Sequence, residues 1–98
     1  SGIYVSPFEV EATLVQHTSV LEAAVIGVPD GEGLTKTKAF VVLKPGAVAT
    51  TDELKAFVKD KLAPYKYPRQ IVFVNELPKT ATGKIQRFKL RDQESASS

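Results

Sequence analysis

The chain has 98 residues, of which 43% are hydrophobic and 24% charged, and this size and composition fit one ordinary globular domain with one modest core. The lack of cysteine excludes disulfides and thiolate sites, and no apolar run approaches the roughly 18 residues of a membrane span, so we expect a cytoplasmic protein with no membrane partner. The charge that sums to a net +2 is unevenly distributed: residues 1–50 carry three basic and five acidic side chains, and residues 51–98 carry ten basic and six acidic ones. The basic second half favours anionic partners such as phosphates.

The N-terminal segment predicts a short strand followed by a helix. Residues 3–5 are β-prone. Ser6 is a suitable N-cap, Pro7 fits the first helical position, and Glu9 completes a capping box. His17 is the single histidine and lies near the expected C-terminus of this helix, so we interpret it as an exposed polar residue and not as a catalytic one.

Two strands should follow the first helix. Residues 20–28 and 38–44 are rich in β-branched and other apolar residues, which is typical of strands with a buried face. Residues 30–37 between them contain two glycines and are predicted to form a loop.

The second half predicts another helix, a third strand and a final short helix. Thr50 and Glu53 have capping-box spacing, and the apolar residues that follow recur on one helical face. Residues 69–74 are predicted to form the third strand and residues 86–91 the last helix. Arg87, Lys89 and Arg91 on that helix are interpreted as solvated side chains in preference to phosphate ligands.

The predicted fold class is α+β, with a small three-stranded sheet flanked by helices. The element order is β-α-β-β-α-β, followed by a loop and the short C-terminal helix, and helices covering such a sheet form one layered domain. We assign residues 1–93 to this domain and residues 94–98 to a disordered polar tail.

Residues 78–84, Pro-Lys-Thr-Ala-Thr-Gly-Lys, have almost no side chain that could pack into a core; we call them the lysine loop. Gly83 can adopt positive φ, Thr80 and Thr82 offer hydroxyls, and Lys84 places an ammonium directly after the glycine. The nearest phosphate-binding template, the P-loop, does not fit, because its first glycine would fall on Pro78. From these residues alone the lysine loop is either a loop that meets an anion or a solvated surface turn.

Three segments match one family in the same order. They are Ser-Gly-Ile-Tyr-Val-Ser-Pro-Phe-Glu-Val-Glu at residues 1–11, Tyr-Lys-Tyr-Pro at 65–68 and Leu-Pro-Lys-Thr-Ala-Thr-Gly-Lys-Ile at 77–85. The chain resembles the C-terminal domain of adenylate-forming acyl-CoA synthetases, the superfamily of firefly luciferase and peptide-synthetase adenylation domains. The first and third segments are most similar to benzoate–CoA ligases.

This resemblance implies ATP-dependent formation of an acyl-adenylate from a carboxylic acid, followed by transfer of the acyl group to coenzyme A. ATP and coenzyme A would be substrates, and Mg²⁺ would be bound in the N-terminal domain and not here. That N-terminal domain would be the protein partner, and the small C-terminal domain would rotate between the two steps. No nucleic-acid partner is expected, since no recognition motif is present.

The resemblance also assigns roles to individual residues. Lys84 matches the adenylation lysine, which bridges the carboxylate and the α-phosphate, and Thr80, Thr82 and Gly83 belong to its phosphate loop. The resemblance further implies that the following residues line the pantetheine tunnel or border the coenzyme A nucleotide: Ser1, Gly2, Ile3, Tyr65, Lys66 and Tyr67.

Some features depart from the family or extend beyond this chain. Certain relatives carry an arginine in the loop at residues 30–37, and here that loop has Gly33 with Lys36 and Lys38 nearby. The chain starts with Ser-Gly, so we expect a fragment of a longer enzyme that is inactive alone. The alternative is a stand-alone module that binds anions or another protein.

Overall fold

The structure, a computed structural model, describes residues 7–29, 35–62 and 67–97. In chain order its elements are α1 (Pro7–Leu14), β1 (Val20–Pro29), β2 (Thr35–Leu43), α2 (Thr51–Lys61), β3 (Gln70–Phe73) and α3 (Arg87–Ser97). The α+β class is confirmed, and the order follows the prediction from the first helix onward. The strand predicted at residues 3–5 lies outside the described residues.

Two elements extend beyond the predicted bounds. β2 begins at Thr35, inside the predicted loop, because its ladder with β1 continues to the pair Pro29↔Thr35 and so satisfies further backbone groups. α3 continues to Ser97, through most of the segment that was expected to be a disordered tail. Residues 92–97 contain neither glycine nor proline, so nothing in the sequence interrupts the helix there.

The sheet has three strands in the order β1-β2-β3. β1 pairs antiparallel with β2 along its whole length, with a bulge between Val20 and Glu22. β3 pairs parallel with the middle of β2, from Lys38↔Gln70 to Val41↔Phe73, and α2 lies in the crossover that a parallel pair requires. Among the described residues, β1 is therefore an edge strand with one side free of strand partners.

Both faces of the sheet are covered by apolar side chains. On the first face, α1 and α2 pack on alternate residues of β1 and β2, including Ala23, Val25, Ala39 and Val41. On the second face, the intervening residues pack against the segment that follows β3; they are Ala24, Ile26, Phe40 and Val42, and their partners include Leu77, Ile85 and Leu90. The period-2 geometry of strands accounts for this division.

His17 joins the two helices of the first face. Its Nδ1 accepts a hydrogen bond from the Ser19 backbone N–H at 3.1 Å, so its proton is on Nε2 and points to the Glu53 carboxylate at 3.0 Å. The ring also meets Phe57 edge-on at 5.0 Å between centroids. Only 11% of the His17 side chain is exposed, so the expectation of an exposed residue is wrong.

Of the two hydrogen bonds in the capping box predicted for α2, one is present. Thr50 Oγ1 accepts a hydrogen bond from the Glu53 N–H at 3.1 Å. The Glu53 carboxylate does not complete a capping box but pairs with His17. Glu53 thereby serves as an anchor between α1 and α2.

We expect Thr50→Ala to lower the free energy of unfolding by about 1 kcal/mol, because the Glu53 N–H would lose its acceptor. Urea denaturation followed by circular dichroism measures this change. Thr51→Ala is the matched control: Thr51 is the adjacent threonine, it begins the helix, and its loss should cost less than about 0.5 kcal/mol. Equal effects of the two substitutions would contradict the capping role.

Candidate functional site

The lysine loop is an ordered turn whose two ends are held together. An isolated antiparallel bridge pairs Lys79 with Ile85, and the Gln86 N–H donates to the Pro78 carbonyl at 2.8 Å. Leu77, just before the loop, is 5% exposed. The polar residues are therefore presented from an apolar base that packs on the second face of the sheet.

Thr80 organises the inside of the lysine loop. Its backbone N–H donates to the Lys84 carbonyl at 2.9 Å, and its carbonyl accepts from the Gly83 N–H at 2.9 Å. Its hydroxyl accepts from the Lys84 N–H at 3.1 Å and lies 3.0 Å from the Thr82 hydroxyl. Both backbone groups of Lys84 are thus fixed by a single threonine.

Gly83 provides the change of direction before Lys84. Its φ is +90°, and a Cβ added there would meet no atom within 4 Å. Space is therefore available, and the requirement for glycine comes from the backbone conformation. Gly83 thus adopts the positive φ that glycine permits, and this lets the turn close directly before the lysine.

The lysine loop presents its chemical groups to solvent. Thr80, Thr82, Gly83 and Lys84 are all exposed. A shallow depression on the domain lies elsewhere, beside Val42 and Phe73 at the ends of β2 and β3. The ammonium and the two hydroxyls are therefore accessible to an anion that is presented from outside the domain.

Two ion pairs fasten the lysine loop to the rest of the domain. Lys79 pairs with Glu22 of β1, and Arg87, the first residue of α3, pairs with Glu11 of α1. The interpretation of Arg87 as a solvated side chain is therefore wrong, because its carboxylate partner lies 76 positions away and is not visible in the local sequence.

The predicted coenzyme residues are only partly described. Tyr67 is half-buried and packs against the core of the first face, with Lys59 Nζ 4.2 Å from its ring centroid. Ser1, Gly2, Ile3, Tyr65 and Lys66 lie outside the described residues. Of the predicted coenzyme residues, the described one, Tyr67, packs on the first face, whereas the residues that flank the lysine loop, Leu77 and Ile85, pack on the second.

Other classes of site find no support in the described part of the chain. Within residues 7–29, 35–62 and 67–97, no helix has the length and apolar character needed to cross a membrane. Within the same ranges, no group of three or more histidine and acidic side chains could hold a metal ion.

An α+β domain that presents an exposed, internally bonded lysine turn matches a known protein family. The model of the AMP-binding enzyme C-terminal domain matches residues 9–84. The chain belongs to this family, and the resemblance inferred from the three motifs is confirmed.

The similar proteins include aryl–CoA ligases. The benzoate–CoA ligase of Thauera aromatica is 66% identical over 94 residues, which are 93% of this chain and 18% of that protein. The structure of a benzoate CoA ligase from Burkholderia xenovorans LB400 has a TM-score of 0.79 and 70% identity over 90% of this chain and 18% of its own. The anthranilate CoA ligase AuaEII, solved with anthranoyl-AMP, has a TM-score of 0.86 and 52% identity over 100% of this chain and 20% of its own. This chain therefore spans about a fifth of their length.

We expect Gly83→Ala to lower the free energy of unfolding by about 1–2 kcal/mol through backbone strain, although no atom obstructs the new methyl group. Gly46→Ala is a matched control, since Gly46 also has positive φ, at +77°, with no atom within 4 Å of an added Cβ. Urea denaturation should give similar losses for both. No loss for Gly83→Ala would contradict the conformation described here.

Proposed function

We propose that this chain is the C-terminal domain of an ATP-dependent carboxylic acid–CoA ligase that acts on benzoate or a related aryl acid. The observation that carries the proposal is the ordered turn at Lys84, in a member of the AMP-binding C-terminal family. The 66% identity to a benzoate–CoA ligase supports an aryl acid as substrate. The N-terminal domain of the longer enzyme would be the partner.

Lys84 would act in the first half-reaction. A carboxylate oxygen attacks the α-phosphorus of ATP, a new O–P bond forms, and pyrophosphate leaves with the electrons of the broken bond. Both reactants are anionic, so a preorganised ammonium between them lowers the barrier electrostatically. The hydrogen bonds from Thr80 hold the Lys84 backbone, and Thr80 and Thr82 would accompany it at the phosphate. Mg²⁺ would be held by the N-terminal domain.

The exposed lysine loop supports a site divided between two domains. The groups of the loop are exposed to solvent, and docking against an N-terminal domain would both supply the anions and exclude water. Exclusion of water strengthens the interaction of the ammonium with the phosphate. The isolated chain would accordingly be inactive.

The second half-reaction would use the other face of the domain. The coenzyme A thiol loses its proton to solvent, its sulfur attacks the carbonyl carbon of the acyl-adenylate, a C–S bond forms, and AMP leaves with the electrons of the broken C–O bond. Gly2, flanked by Ser1 and Ile3, would line the pantetheine tunnel, and residues 65–67 would border the nucleotide. The position of Tyr67 on the first face supports a rotation of the domain between the steps.

The alternative of a stand-alone module that binds anions or another protein is not favoured. Similarity extends over more than nine-tenths of this chain in ligases of the family.

In the full-length enzyme, we expect Lys84→Ala to slow adenylation by about 10²-fold or more, because the transition-state cation is lost. Pyrophosphate exchange measures this step. Thioester formation from supplied acyl-adenylate should be retained. Lys89→Ala, which removes an exposed lysine of α3, is the control and should leave both steps near the parent rates. Near-normal pyrophosphate exchange by Lys84→Ala would overturn the proposal.

Gly2→Leu should impair thioester formation by about tenfold or more while adenylate formation continues, because a side chain would narrow the tunnel and displace the thiol from its attack geometry. Rapid-quench measurement of each half-reaction in the full-length enzyme distinguishes the two steps, and Gly2→Ala should give a smaller effect. Equal losses in both half-reactions would count against a tunnel role for Gly2.

A further inference from the structure

The Glu11 side chain is a partly buried acceptor that serves two distant parts of the chain. Its Oε2 accepts hydrogen bonds from the Val25 backbone N–H at 3.1 Å and from Arg87 Nε at 3.0 Å. Its Oε1 accepts from Arg87 Nη2. Only 14% of the Glu11 side chain and 26% of the Arg87 side chain are exposed. Two-pronged guanidinium–carboxylate pairs of this kind are strong and restrict orientation.

The ion pair between Glu11 and Arg87 connects elements on opposite faces of the sheet at the edge formed by β1. Glu11 belongs to α1, which covers the first face, whereas Arg87 begins α3, which follows the lysine loop on the second face. The backbone N–H of Val25 lies in the plane of the sheet and projects from the edge of β1. By bonding to this N–H, the carboxylate is itself fixed before it receives the guanidinium.

Arg87 stands three positions after Lys84 in the sequence, so its anchor limits the movement of the lysine loop. The guanidinium also lies 5.2 Å from the centroid of the Phe8 ring, which is a cation–π distance. At the opposite end of the loop, Lys79 pairs with Glu22. The Glu22 pair is more exposed, with side-chain exposures of 35% for Lys79 and 28% for Glu22, so the Arg87 anchor should be the stiffer of the two.

We propose that Glu11 and Arg87 are positioning residues for the adenylation step, because they orient the lysine loop relative to α1 and so direct the Lys84 ammonium. This inference rests on the proposed function. Loss of the pair would let the loop and the start of α3 turn about the sheet edge, and the ammonium would occupy its reactive position less often. A displacement of about 1 Å can cost as much as 10²-fold in rate.

Glu11→Gln in the full-length ligase is the main test. The amide oxygen can still accept from the Val25 N–H, but the charged, two-pronged acceptor for Arg87 is lost. We expect the kcat for adenylation, measured by pyrophosphate exchange, to fall by about tenfold with little change in the KM for ATP. Thioester formation from supplied acyl-adenylate should stay close to the parent rate, since Lys84 acts only in the first step.

The same substitution in a Lys84→Ala background separates positioning from a general structural role. If the pair acts through Lys84, Glu11→Gln should cause no further loss of adenylation there. Arg87→Lys keeps the charge but cannot make two parallel hydrogen bonds. We expect its adenylation rate to lie between those of the parent enzyme and Glu11→Gln. It replaces Glu11→Gln as the test if circular dichroism shows that Glu11→Gln folds poorly. Lys89→Gln, which removes a neighbouring exposed charge of α3, should have no effect.

Three outcomes would each overturn the positioning role. They are an equal loss of both half-reactions, an adenylation rate within twofold of the parent in the folded variants, and a further loss of adenylation when Glu11→Gln is added to Lys84→Ala. Failure of the proposed function has a different signature, because Lys84→Ala alone would then leave adenylation intact. A strong effect of Lys84→Ala with no effect of Glu11→Gln or Arg87→Lys would overturn only the positioning role.

Discussion

Burial of both faces of β1 and β2 is the constraint on which the rest of this domain depends. Consecutive residues such as Val25 and Ile26 are each about 1% exposed, and successive strand residues point to opposite faces. Two layers are therefore required. α1 and α2 cover the first face, and the segment after β3 must return across the second. That return fixes where the lysine loop leaves the core, since Leu77 and Ile85 anchor its two sides.

The burial of both sheet faces also bears on the proposed chemistry, because the proposed site residues are divided between the two faces. The lysine loop stands on the second face, whereas Tyr67 packs on the first. Under the proposed function, the lysine loop and Tyr67 would serve different half-reactions, and their placement on different faces fits the proposed rotation of the domain between the two steps. The exposure of Lys84 is consistent with this, because an ammonium in water interacts weakly with anions until a second surface excludes solvent.

Features that depend on neighbours in sequence could be predicted well. The apolar runs at residues 20–28 and 38–44 indicated two strands, and Thr50 was correctly predicted to cap α2. The composition of the lysine loop indicated an exposed turn, and Gly83 is the residue in it that can adopt the positive φ that the structure shows. Three spaced motifs gave the family. These predictions succeeded because caps, turns and strand periodicity are decided within a few residues.

The sequence by itself therefore determined the α+β class, the order of elements, the family and the chemical groups of the lysine loop. Only the tertiary structure decided which charged side chains are partners: the Glu53 carboxylate binds His17 instead of completing the capping box, and Arg87 binds Glu11 across 76 positions. It also placed that pair at the free edge of β1. The reason is physical, since an ion pair has no sequence periodicity and its partners become neighbours only after the layers have packed.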